Sequence, residues 1–262
     1  MEKQNDGVAT PLYTREGLGV SLIKQDLRAM MNGVASAAMR NAGMTADYRV
    51  NFGVEIPRLE EYIRTHPLAF NGLYTPFGSP VIGGLKPCEG GEYIPAMQKE
   101  QPNDVVTTPL PCREGQGVGP LAVSLFKERV RECRILALMI YPPEQFDGEL
   151  AEVWMDDIRT VELAQLAAFY LFSRMPQASE KAFQWIADER EIRQLTGYYI
   201  LANILRTSQL SERSTQELRD QAATALQSEN RQLVLAAQRA LDRLPQPLDE
   251  GKKEGLQQKS QW

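Results

Sequence analysis

The side chains best suited to chemistry in this 262-residue chain are its arginines and a few carboxylates, because the usual catalytic types are scarce. His66 is the one histidine, and Cys88, Cys112 and Cys133 contain no CxxC pair. Zinc sites and disulfide frameworks lack their ligand spacing, and histidine-based nucleophile triads lack their base. So few cysteines fit a reducing compartment, and the cytoplasm is the expected location. Between Ala122 and Leu244, 13 of the 15 Lys plus Arg are arginines, set against 18 Asp plus Glu. The planar guanidinium suits bidentate phosphate contacts, and equally suits solvated helix faces with Glu partners. Arg129, Arg131, Arg134, Arg159, Arg193, Arg231, Arg239 and Arg243 are the candidates for one basic face. The chain as a whole carries a net charge of -5. That excludes a generally basic coat for nucleic acid, so such a partner must be met locally.

Each singled-out residue also has a plain structural reading. Glu162 stands at a helix start, where a carboxylate is favoured by the helix dipole. Arg193 is placed to pair with Glu189 one turn earlier. Trp154 and Trp185 lie on amphipathic helices and read as core anchors. Tyr198 and Tyr199 read as packing, Cys133 as an inert thiol in an apolar helix, and His66 as a residue with no neighbouring ligand types.

The elements that must position these residues are helices. Apolar residues recur near a 3.6-residue period over 22–40, 121–140, 149–158, 161–173, 177–187, 191–205, 215–227 and 232–244. Pro57 suits the first turn of a short helix ending near Ile63, and Pro142–Pro143 stop the helix before them. No strand or hairpin pattern interrupts this series. Short connections favour antiparallel neighbours. Alanine groups such as Ala164, Ala167 and Ala168 permit close approach, in stacked pairs or in an irregular bundle alike. The longest apolar run, Ile135 to Tyr141, is far short of the roughly 20 residues a membrane span needs. No apolar segment follows the opening Met-Glu-Lys-Gln-Asn-Asp, so neither a secretory signal nor a membrane partner is expected.

Two stretches stand apart. Residues 5–20 (NDGVATPLYTREGLGV) and 103–118 (NDVVTTPLPCREGQGV) are identical at 11 of 16 positions. Both read as loop, and the second ends a Gly- and Pro-rich region over about 65–120. A structureless stretch this long marks either a functional lid or an insertion. The duplication favours the insertion. Residues 1–20 and 245–262 read as flexible ends around a single helical domain over 21–244.

Three segments carry a family likeness: MNGVASAAMRNAG (31–43) with VNFGVEIPRL (50–59), LFKERVRECRILALMIYPPEQF (125–146), and IRQLTGYYILANIL (192–205). In order and spacing they resemble the DNA alkylation repair family, the AlkD-type HEAT-like alkylpurine DNA glycosylases. The resemblance covers about 21–64 and 121–206 and weakens towards 244. It implies an all-α fold, an α-solenoid of about five or six HEAT-like antiparallel helical pairs with an irregular insertion at 65–120. It implies duplex DNA bearing alkylated bases as partner, held on a concave surface, and no metal or organic cofactor. A cationic alkylpurine already has a weakened N-glycosidic bond. A carboxylate stabilising an oxocarbenium-like state can therefore complete its hydrolysis. By position the family's carboxylate falls on Glu162 and its catalytic arginine on Arg193. Arg129, Arg131, Arg159, Arg231, Arg239 and Arg243 are left for the DNA backbone. The family's active-site tryptophans have no counterpart here, the second falling near Gln238 or Arg239. The competing expectation is a non-catalytic HEAT-like scaffold that binds DNA or a protein through the same surface.

Overall fold

The computed structural model describes residues 18–44, 47–66 and 118–245. Among them are eleven α-helices, two short 3-10 turns and no named strand. Among the described residues contacts gather into two compact units, divided between Phe146 and Asp147. The first unit holds α1 (Leu18–Ala29), α2 (Gly33–Asn41), α3 (Ile56–Thr65), α4 (Val118–Lys127) and α5 (Arg131–Ile140). The second holds α6 (Gly148–Asp157), α7 (Val161–Tyr170), α8 (Ala178–Ile186), α9 (Glu191–Ile204), α10 (Glu212–Ala225) and α11 (Arg231–Leu241).

Side-chain caps explain five of the eleven starts. Asn32, Asp147, Thr160, Ser211 and Asn230 each accept a backbone N–H from the first turn they precede. Each such cap contributes about 1 kcal/mol. Two helices read as continuous from periodicity are broken. The 22–40 stretch divides at Met30–Asn32, because Asn32 caps α2 and its N–H donates to Phe52 O at 2.9 Å. The 121–140 stretch divides at 128–130, where the Arg129 carbonyl accepts from Arg49 N and Val50 N instead of from its own helix. Val118–Pro120, assigned from sequence to the irregular region, open α4, with Pro120 in its first turn, where a missing N–H costs little. Thr65 ends α3 and His66 caps it, while residues 67–117 of that region, and nearly all of both duplicated stretches, lie outside the described residues.

In the first unit α5 is the central element: all ten of its residues are buried. Around it pack Ile23 and Leu27 of α1, Leu59 and Ile63 of α3, and Leu125 and Phe126 of α4. In the second unit α9 is central, packed by α7, α8 and α11. A Cβ on Gly197 would meet the Ala182 carbonyl at 2.6 Å and Ile186 Cγ1 at 2.7 Å. That glycine sets how closely α8 and α9 approach. Trp154 and Trp185 are both core residues, at 2% and 1% exposure. Cys133 is fully buried, and burial pushes its thiol up to about 12, which suppresses the reactive thiolate. Among the described residues no helix is long and apolar enough to cross a membrane.

Candidate nucleic-acid interface

The first unit contains a charged pair where an apolar core would be expected. Glu132, fully buried, accepts the backbone N–H groups of Phe52 and Val54, each at 3.2 Å, and Nη1 of Arg131 at 3.2 Å. The same Arg131 Nη1 donates to the Val54 carbonyl at 3.0 Å. Arg131 N donates to Val50 O, closing a parallel bridge between Val50 and Val130. Two of the sequence segments singled out above, 50–59 and 125–146, therefore meet through backbone. On its other side the 50–54 stretch is held by α2: Ser36 Oγ donates to Asn51 O, and Asn32 N to Phe52 O. Gly53 has φ +71, and a Cβ there would lie 2.3 Å from Asn32 O and 2.6 Å from Ser36 N. Only glycine fits.

The clamped stretch brings cations together. A cleft of about 620 Å³ is lined by Lys24, Arg28, Arg49, Val50, Phe52, Lys127, Glu128, Arg129 and Val130. Its one carboxylate, Glu128, pairs with Lys24 at 2.9 Å. Among the described residues no carboxylate pairs with Arg28, Arg49, Lys127 or Arg129. Four uncompensated cations around one opening make a local positive field in an acidic protein.

Sequence reasoning found Arg129 and missed the other four cations. A signal for two of them was present. The likeness between the duplicated stretches resumes in α1 and α4: VSLIKQDLR (20–28) matches VSLFKERVR (123–131) at five of nine positions. Ile23 and Phe126 occupy matching positions and are both buried. Lys24 and Lys127 match as well, and both line the cleft.

The remaining expected site residues are placed differently. Arg131 is 1% exposed and engaged by Val54 O and Glu132, which leaves its guanidinium no face for a phosphate. Arg134, also buried, donates to Glu128 O and lies over the Phe126 ring at 5.3 Å. In the second unit Arg193 is 7% exposed and donates to Glu152 Oε2 at 2.6 Å and Asp156 Oδ1 at 2.7 Å. Asp188 lies 3.5 Å away, so its partners are these three carboxylates rather than Glu189. Glu152 also accepts from Lys181 Nζ and Trp185 Nε1, each at 2.9 Å. Burial pushes the Glu152 carboxyl up, but bonds from Lys181, Trp185 and Arg193 outweigh it and hold it below the usual range. Bonds from Arg190 and Arg193 lower Asp156 likewise. Glu162 is half-buried in the first turn of α7, behind the Thr160 cap. Arg159, Arg231 and Arg243 are exposed. Arg239 lies over the Tyr199 ring at 5.9 Å, and the Tyr199 hydroxyl bonds Gln165 at 2.6 Å. His66 caps α3, its Nδ1 against the Tyr62 carbonyl at 2.9 Å.

Eleven helices and no named strand among the described residues make an all-α fold, and a solved structure places it in the HEAT-like repeat class. It is described as "a new family of proteins related to the HEAT-like repeat DNA glycosylases with affinity for branched DNA structures". This chain is similar to it with a TM-score of 0.60 and 13% identity, over 86% of this chain and 74% of that one. At that identity the likeness establishes the fold alone. No family model matches the sequence, and no curated protein does.

Proposed function

We propose that this protein binds DNA through the basic cleft of its first unit, with Arg28, Arg49, Lys127 and Arg129 on backbone phosphates. The observation that carries the reading is the cleft itself: four cations without carboxylate partners among the described residues, in a chain of net charge -5. The affinity of the HEAT-like structural relative for branched DNA agrees with it. Phosphate contacts supply affinity without sequence information, and each releases condensed counterions. Four contacts predict a slope of about -3.6 in log affinity against log salt, from roughly -0.9 per contact on duplex.

The test is fluorescence anisotropy on a duplex across a salt series. Arg49→Ala/Arg129→Ala should weaken binding about tenfold or more and make the slope shallower by about two. A slope unchanged in the double variant would move the phosphates elsewhere. Base excision is a separate question resting on Glu162, since the Arg193 guanidinium is already engaged by carboxylates. Release of methylated bases from alkylated duplex by the wild type, lost in Glu162→Gln, would add it. Release by both proteins alike would remove Glu162 from that role, and release by neither would leave a binding protein.

A further inference from the structure

A second cavity, of about 480 Å³, lies within the second unit, where α8, α9, α10 and α11 all contribute to its wall. Its charge is the reverse of the basic cleft: Glu189 and Glu191 line it, and no lysine or arginine does. The arginines nearest in sequence are engaged elsewhere, Arg190 by Asp156 and Asp188, Arg193 by Glu152 and Asp156. Among the described residues neither lining carboxylate forms an ion pair, and Glu191 accepts from Asn230 Nδ2 at 2.7 Å. Glu191 opens α9, where the helix dipole favours a carboxylate in any case. Tyr198 is the independent observation. It is 1% exposed, it lines the same cavity, and its hydroxyl bonds to no described residue. That oxygen is not among the side-chain atoms sealed away without a partner, so it opens into the cavity. Buried polar groups ordinarily find a partner within the fold. This one is left for a ligand.

We propose that this cavity binds a short aliphatic diamine, one ammonium meeting the Glu189 and Glu191 carboxylates and the Tyr198 hydroxyl. An ammonium has three N–H donors and no acceptor, and these side chains supply acceptors without a competing cation. Burial pushes the Tyr198 hydroxyl up to about 12, so it stays neutral and meets the ammonium through a lone pair. Two carboxylates carry two charges, which a diamine balances and a monoamine does not. The hydrocarbon between the two ammonium groups also has a place: Ile186, Ala225 and Leu233, all buried, make part of the wall apolar. A bare divalent cation fits less well, because it needs about six oxygen ligands. Among the described residues no group of three or more His, Cys, Asp or Glu could hold one. This site is independent of the DNA-binding reading, which concerns the other unit.

The experiment is isothermal titration calorimetry on the full chain, with 1,4-diaminobutane as the probe. Wild type should show saturable one-site binding, and 1,4-butanediol, of the same length without charge, should show none. Glu189→Gln/Glu191→Gln should weaken the diamine about tenfold or more, since charge-assisted hydrogen bonds are the strong ones. Tyr198→Phe should weaken it about fivefold, the worth of one ordinary hydrogen bond. That variant should unfold, free of ligand, no lower than wild type, because the hydroxyl has no partner in the fold to lose. No saturable binding by wild type, or equal affinity in the double carboxylate variant, overturns the site. Displacement of the diamine by magnesium chloride at equal concentration overturns the ammonium assignment. Undiminished binding by Tyr198→Phe, or a lowered unfolding temperature in it, overturns the hydroxyl's part.

Discussion

Arg129 and Arg193 belong to the same residue type, and both were expected to contact DNA, yet their surroundings are opposite. Around Arg129, five cations meet one carboxylate. Around Arg193, three carboxylates, Glu152, Asp156 and Asp188, take up the cations of Arg193, Arg190 and Lys181. A cation without a partner keeps its field for a ligand. A cation enclosed by carboxylates stabilises the fold and presents little charge outward. The number of arginines in a stretch therefore says little about binding; the count of carboxylates within reach of each guanidinium says much more.

Removing Arg193 should break this contrast most severely. Arg193→Leu leaves Glu152, whose side chain is one-third exposed, and Asp156, 59% exposed, without their shared donor. Water reaches both carboxylates, so the loss should cost about 1–2 kcal/mol, charged hydrogen bonds discounted for that exposure. Hydrogen exchange on the intact variant should show faster opening of α6, α8 and α9. The salt slope of DNA binding should stay as in wild type, because the cleft lies in the other unit. Protection in α8 and α9 equal to wild type would mean the network contributes nothing to holding these helices together.

Acid should separate the two regions less drastically. Glu152 and Asp156 have folded-state pKa values below their ordinary ones, as does Asp188, where burial opposes but bonds and charge from Arg190 and Arg193 prevail. Depressed carboxylates add stability that is fully present above the unfolded value, near 4. It is lost as pH falls through the folded values, since the unfolded chain takes up protons first. Thermal unfolding followed from pH 7 to pH 2.5 should thus decline mostly below about pH 4, and less steeply in Glu152→Gln. Identical profiles for the two proteins would place the acid sensitivity outside this network.

Much of the fold was legible because helix periodicity and capping are local. Glu191–Ile204 and its short neighbours follow directly from apolar spacing, and Asn230 or Thr160 announce the helices they cap. The breaks at Met30–Asn32 and 128–130 were not legible. They arise from hydrogen bonds to residues 49–52, about 20 and 80 positions away in sequence, which no window of 18 residues contains. The site was hidden for the same reason. Arg49 lies on a stretch with no periodicity, and only the bridge to Val130 sets it beside Arg129. Arg131 shows the converse: next to the cleft residue Val130, it turns inward, donating to Glu132 and Val54. Only the repeated Lys of VSLIK and VSLFK gave an early sign, and reading it required extending the duplication past its loop.

The smallest expected effect is the sharpest check on the comparison, because it concerns exposed arginines with no assigned role. Arg159, Arg231 and Arg243 lie at the surface of the second unit, where sequence reasoning placed DNA contacts. If exposure alone made a binding site, each would matter as much as Arg129. Binding requires more: several unpaired cations converging on one opening, so that their fields add. On that view Arg159→Ala, Arg231→Ala and Arg243→Ala each change affinity by less than about twofold. Together they should make the salt slope shallower by less than one contact's worth, about 0.9. Surface substitutions of this kind also leave stability within about 0.5 kcal/mol, so any change in binding is free of folding effects. A triple variant whose slope becomes shallower by two or more would show that the phosphate path extends onto the second unit.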